Sequence, residues 1–156
     1  MSYAMACTTS LPIYAIVPVS ANVDVGQDCS NSHARLLSIV GTADRAVPMA
    51  GGPVLLGWGQ GAVQSATTSF NMFLIASHCG GTTSKPLPDG AGDGMTSQAV
   101  IGTGCTPSPV DQIIVNGGGH AWAGGRPRLK RFLGEPTQDF SASAMVVDVA
   151  LGKAPF

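Results

Sequence analysis

Apolar positions along the chain fall into three continuous runs and two helically spaced ones. Residues 13–19 (Ile-Tyr-Ala-Ile-Val-Pro-Val) and 35–40 (Arg-Leu-Leu-Ser-Ile-Val) are apolar on both faces of an extended chain. Residues 110–116 hold Ile113, Ile114 and Val115 together. Short runs without polar alternation predict strands buried on both sides, as in a parallel sheet covered by helices. Pro18 predicts that the first strand ends about there, because proline cannot donate to a ladder. Between the second and third runs, residues 62–77 place Val63, Thr67, Phe70, Phe73 and Leu74 roughly on one helical face. Cys79-Gly80-Gly81 follows as a glycine stop. Residues 139–151 repeat the pattern with Phe140, Ala144, Val147 and Leu151, and Thr137 or Asp139 is the expected cap. Met1-Ser2-Tyr3-Ala4-Met5-Ala6-Cys7 reads as helix interior with no capping residue.

The segments between these elements are polar. Residues 20–32 form a loop containing Cys29, and residues 49–61 form a Gly-rich loop holding Trp58, read as a lid or loop packing residue. Residues 82–109 are rich in Gly, Pro, Ser and Thr, either irregular or folded into a short hairpin around residues 96–101. Residues 126–136 carry four of the eight basic side chains and read as a solvated loop. No internal repeat or linker interrupts the 156 residues, so a single α/β domain is expected.

Composition narrows the function classes. Charged residues make up 11% of the chain, against ~25% in an ordinary soluble domain. The net charge is −1 and no basic stripe is present, which argues against a nucleic-acid partner. No apolar segment approaches the ~20 residues that a membrane span needs. The first residues lack the basic start and apolar run of a signal peptide. Cys7, Cys29, Cys79 and Cys105 form no Cys-x-x-Cys pair, so zinc and thioredoxin-type chemistry are disfavoured. An even cysteine count in a charge-poor chain fits two disulfides and an oxidising compartment; four buried thiols are the alternative. Of the three possible connectivities, Cys7–Cys29 with Cys79–Cys105 closes the shortest loops.

Candidate chemistry gathers at two strand ends. The second run passes straight into Gly41-Thr42-Ala43-Asp44-Arg45-Ala46-Val47-Pro48, which places Asp44 just past a carboxyl end. The third run passes into Gly117-Gly118-Gly119-His120-Ala121-Trp122. Sites of open α/β sheets form at that edge. An acid that accepts from a histidine N–H fixes its tautomer and stabilises the imidazolium, which is the second half of a Ser-His-Asp triad. Trp122 is read either as a substrate contact or as packing within the loop. His33 and His78 have no matched acidic partner and read as loop residues. Asp89 and Asp93, among Gly90, Gly92 and Gly94, lack the closing glutamate of an EF-hand and read as a turn. No metal or other cofactor is expected.

With these motifs in order, the chain resembles the carboxyl-terminal half of the secreted α/β-hydrolase esterases grouped with poly(3-hydroxybutyrate) depolymerases, feruloyl esterases and acetylxylan esterases. Met1–Cys7 is similar to the helix after the nucleophile, and Ile16-Val17-Pro18-Val19-Ser20-Ala21-Asn22 to the next strand and its loop. Gly41-Thr42-Ala43-Asp44 with Val47-Pro48 resembles the acid motif, and Gly117–Trp122 the histidine motif. Cys79 and Cys105 stand where the family has cysteines. Val40 replaces a frequent His, and Ala123 a Pro; neither removes a triad member.

The resemblance implies a partial α/β-hydrolase fold: the last three parallel strands with flanking helices, the N-terminal half absent. It implies a secreted carboxylic-ester hydrolase acting on a polyester or an esterified plant polysaccharide, with His120 as base and Asp44 as its orienter. The family's nucleophile lies on a Gly-x-Ser-x-Gly elbow, and that motif occurs nowhere in the 156 residues. Ser2 lies past the elbow, and Ser20 and Ser38 belong to later strands and loops. The oxyanion-hole loop of the family is missing as well. The expectation is therefore a chain inactive in isolation; the alternative is a non-catalytic remnant. A sheet of which only three strands are read would leave the edge at residues 13–19 open to self-association.

Overall fold

A computed structural model describes residues 1–55 and 61–156. The expectation for Trp58 lies outside the described residues. Short helix α1 (Ser2–Thr8) precedes strand β1 (Ala15–Ile16), and strand β2 (Arg35–Gly41) follows. A two-residue pair, β3 (Gly52–Pro53) with β4 (Ala62–Val63), leads into helix α2 (Ala66–Ala76). Strands β5 (Gly81–Pro86), β6 (Thr96–Thr103) and β7 (Val110–Asn116) come next. The chain ends through the one-turn helix α3 (Lys130–Leu133) and helix α4 (Ala142–Ala150).

The main sheet is mixed, with five strands in the order β1-β2-β7-β6-β5. β1, β2 and β7 are parallel, whereas β6 and β5 are antiparallel additions. β2 is buried along its whole length, as its unbroken apolar run requires. Alternate residues face opposite cores. Leu37, Ile39, Ile113 and Val115 pack with Met145 and Val149 of α4. Leu36 and Val110 pack on the other side with Tyr3 of α1 and Phe70 and Phe73 of α2. The Tyr3 and Phe73 rings sit 5.7 Å apart, tilted, and burial pushes the Tyr3 phenol well above its ordinary pKa.

Several expectations are corrected. Residues 82–109 contribute two full antiparallel strands rather than an irregular loop or a short hairpin. Every residue of β5 is exposed, so this polar strand carried no apolar signal. The first strand is shorter than residues 13–19: two ladder residues and one further bridge, Val19 to Ile39. α2 begins at Ala66 because the Ser65 hydroxyl accepts from Thr68 N–H and caps it, leaving Thr67 on the exposed side. Its stop is His78, at φ 46, with Cys79 N–H donating to Leu74 O. α4 is capped by Ser141, neither by Thr137 nor by Asp139. It buries Ala142, Met145 and Val149, while Val147 and Leu151 stay exposed.

Both disulfides lie beside the α1/α2 core. Cys7 joins Cys29, and Cys79 joins Cys105. They tie α1 to the loop before β2, and the end of α2 to the turn between β6 and β7. Among the described residues no helix is long and apolar enough to cross a membrane. The two edges of the sheet differ in character. β5 carries Lys85 and Pro86, residues that blunt an edge. β1 carries apolar residues and has no outer strand partner among the described residues.

The amino ends of the parallel strands bury two ionisable side chains. Arg35, the first residue of β2, is buried and donates from Nη2 to Lys153 O at 2.6 Å and from Nη1 to Val149 O, at the carboxyl end of α4. Asp111, in β7, is also buried. Burial pushes its carboxyl up to about 6; the Arg35 guanidinium and the Gly102 N–H pull it back only in part. The folded chain thus holds the Asp111 proton more tightly than the unfolded chain does. The stability this group contributes is fully present below the unfolded value of ~4 and is lost as pH rises through about 6. Melting Asp111→Asn beside the natural chain should show a Tm difference, variant minus natural, that grows as pH rises across this window. A difference that is flat or shrinks would show that Asp111 does not titrate there.

Candidate active site

Asp44 and His120 come together where β2 and β7 end. These strands are direct neighbours, with Gly41 opposite Val115. Two loops leave that shared edge, and they touch through their backbones. A Cβ on Gly41 would overlap the Gly118 carbonyl and lie 2.8 Å from Gly119 O. A Cβ on Gly118 would meet Val115 side-chain carbons at 2.7 and 2.9 Å, and one on Gly119 would overlap Leu133 O. Gly117 makes the turn itself, at φ 78. The glycine run is therefore a matter of closeness as much as of turning. Hydrogen bonds stitch the loops: Thr42 N to Val115 O at 3.0 Å, Ala43 N to Gly118 O at 2.9 Å, and Gly117 N to Thr42 Oγ1 at 2.9 Å.

Within that frame the acid is fixed at both oxygens. Asp44 Oδ1 accepts from Ala46 N at 2.8 Å and Val47 N at 2.9 Å. Oδ2 faces His120 Nδ1 at 2.9 Å. The Asp44 side chain is 2% exposed and that of His120 is 28% exposed. An ionised carboxylate only accepts, so Nδ1 carries the proton and Nε2 is left as the acceptor. Among the described residues no side chain hydrogen-bonds Nε2. The arrangement can orient an imidazole, take a proton at Nε2, and stabilise the resulting imidazolium.

The other sequence candidates fall elsewhere. Trp122 leaves the same loop, but its indole N–H donates to Ser143 Oγ on α4 at 3.0 Å. It lines a groove of about 570 Å³ with Tyr14, Val17, Val146 and Val149, and His120 is not among the groove's walls. His33 and His78 are exposed loop residues. Asp93 is a turn residue whose Oδ1 accepts from Met95 N and whose Oδ2 accepts from Gln138 N and Thr137 Oγ1. Among the described residues no cluster of His, Cys, Asp and Glu could hold a metal ion.

Ser20 is placed more tellingly than its sequence suggested. It ends the β1 segment at φ 52, a region unusual for serine, and lines a small space with Gly41, Gly118, Gly119 and Ala121. No hydrogen bond joins its hydroxyl to His120 among the described residues. Arg45 and Arg131 line one groove together; the first follows Asp44 in sequence, and the second lay hidden in what read as a solvated loop.

No protein-family model matches the chain, and no curated protein matches it.

The close approach of Gly41 makes a direct test. Gly41→Ala should destabilise the fold by roughly 1–3 kcal/mol, the usual range for overpacking, because backbone rather than a movable side chain stands in the way. Chemical denaturation measures it. A variant as stable as the natural chain would show that the loops can separate freely.

Proposed function

We propose that Asp44 and His120 are the acid and base of a hydrolytic triad, in a carboxylic-ester hydrolase of the polyhydroxybutyrate depolymerase, feruloyl esterase and acetylxylan esterase type. The observation that carries this reading is the 2.9 Å bond between Asp44 Oδ2 and His120 Nδ1, with Nε2 unbonded among the described residues. Three features support it further. The pair sits at the carboxyl ends of adjacent parallel strands. The order along the chain is acid, then histidine, as in α/β-hydrolases. Two disulfides fit a protein that works outside a reducing compartment. On this reading the five-stranded sheet is part of an α/β-hydrolase fold and the protein is secreted.

The chemistry follows from the geometry. A serine hydroxyl placed at Nε2 would lose its proton to the imidazole as its oxygen attacks the ester carbonyl. Asp44 holds the ring and stabilises its positive charge without taking the proton. The imidazolium then returns the proton to the departing alcohol, leaving an acyl-enzyme. Water, activated by the same imidazole, releases the acid. The serine and the oxyanion donors are assigned to a segment outside residues 1–156, because no Gly-x-Ser-x-Gly elbow occurs within them.

Ester hydrolysis, serine labelling, the upstream reading frame and kinetics of an extended protein test the reading. The 156-residue chain should hydrolyse a p-nitrophenyl ester no faster than its His120→Ala variant, since base and orienter alone forfeit most of a triad's rate. Stoichiometric fluorophosphonate labelling of Ser2 or Ser20, lost in His120→Ala, would instead place the nucleophile inside this chain. The encoding DNA should carry a Gly-x-Ser-x-Gly segment upstream in frame. In a protein extended to include it, Asp44→Asn should lower kcat on the order of 10⁴-fold. An extended protein that is inactive on esters, or indifferent to Asp44→Asn, would sink the hydrolase reading.

A further inference from the structure

Beside the Asp44–His120 pair lies a groove of about 350 Å³ walled by Arg45, Ala46, Leu55, Arg131 and Phe132. Its two banks are the two elements that build the site. Ala46 donates its N–H to Asp44 Oδ1 and its carbonyl accepts from Leu55 N, so one bank is the acid loop. The other is α3, whose last residue, Leu133, backs directly onto Gly119 next to His120. Leu55 is 71% exposed and Phe132 68%. Single exposed apolar side chains are ordinary; two facing one groove, with cations beside them, have the makeup of a binding site.

The cations are unspent. Among the described residues neither Arg45 nor Arg131 makes an ion pair. The one acid of the 126–136 segment, Glu135, is taken by Lys130 at 2.7 Å. Thus a chain of net charge −1 presents guanidinium groups on apolar walls, next to a candidate base. A guanidinium fork matches a carboxylate in shape and charge, and it gains strength where apolar walls exclude water.

We propose that this groove is a specificity subsite that holds a free carboxylate on an apolar stem, so that the substrate is an ester bearing a second, anionic carboxyl group. The proposal rests on the hydrolase reading for what the substrate becomes, but the groove binds the anionic part whether or not an ester is cleaved. Arg45 and Arg131 take the carboxylate. Leu55 and Phe132 cover the stem. A fully neutral ester would leave both guanidiniums without a partner and bind less well.

Binding to the 156-residue chain tests this without chemistry. The probe is 4-phenylbutyrate, and its uncharged twin is 4-phenylbutyramide. Backbone amide shifts followed by NMR should move at Ala46, Leu55, Arg131 and Phe132. The acid should bind at least about tenfold more tightly than the amide, the gain of a charge-assisted hydrogen bond. Rising salt should erode that advantage. The double variant Arg45→Gln/Arg131→Gln should bring the acid down to the amide's affinity. Both side chains are exposed, and unchanged amide signals elsewhere in the free variant show the fold intact. Equal affinity for acid and amide, or shifts confined to the Trp122 groove, would overturn the subsite. Because no bond is broken, a failed hydrolase reading with selective acid binding is distinguishable from the reverse.

Discussion

Everything at the candidate site depends on two backbones touching. Gly41 leaves β2 and Gly118–Gly119 leave β7 with no Cβ between them. Neighbouring parallel strands stand ~4.8 Å apart, and loops leaving them would ordinarily be held wider by side chains. Here the loops close on each other, and their polar groups bond across the contact. The bonds from Thr42, Ala43 and Gly117 hold the loops in register. The carboxylate and the imidazole are then brought to 2.9 Å by the frame beneath them rather than by their own attraction. Such preorganisation is what an acid–base pair needs, because reorganising it during reaction would cost rate.

The parallel strands also separate stability from chemistry. Their carboxyl ends release Asp44 and His120, and their amino ends carry Arg35 and Asp111. Arg35 reaches Val149 O in the last turn of α4 and Lys153 O just beyond it, and so pins that helix at the end of the sheet away from the site. The unbonded Arg35 Nε and the raised Asp111 carboxyl mark that region as electrostatically expensive. The disulfides sit in the third region, around α1 and α2, and neither crosses the acid or histidine loop. The site is thus held by close packing and hydrogen bonds alone.

How far the sequence could be read follows from what each element buries. β2 and β7 are covered on both faces, so their apolar runs marked them almost to the residue. β5 is exposed throughout and β6 only partly buried, so pairing and not hydrophobicity made them strands. In α4, Phe140 and Leu151 suggested one face, but the Ser141 cap starts the helix later and turns Ala142, Met145 and Val149 inward. Asp44 and His120 were legible because each follows a readable strand. The groove beside them was not, because its two banks, Arg45 with Leu55 and Arg131 with Phe132, lie far apart in sequence and meet only through the fold. The closeness of Gly41 to Gly118 is a tertiary fact that no local pattern encodes.

In a chain this poor in charge, three of the nine acidic residues bracket pairs of backbone N–H groups in one recurring way. Asp44 receives Ala46 and Val47 N–H, Asp93 receives Met95 and Gln138 N–H, and Asp139 receives Gly90 and Ala91 N–H. Thr137 donates its hydroxyl toward both Asp93 and Asp139, so those two brackets act as one. Backbone bonds accordingly hold the Asp93 carboxyl below its usual range. The bracketed segment runs back to Gly134 and Leu133, which form the outer wall against Gly119. The histidine loop is therefore clasped on one side by the acid loop and on the other by a segment anchored through Asp93 and Asp139. His120 owes its position to carboxylates on both flanks, of which only Asp44 touches the ring.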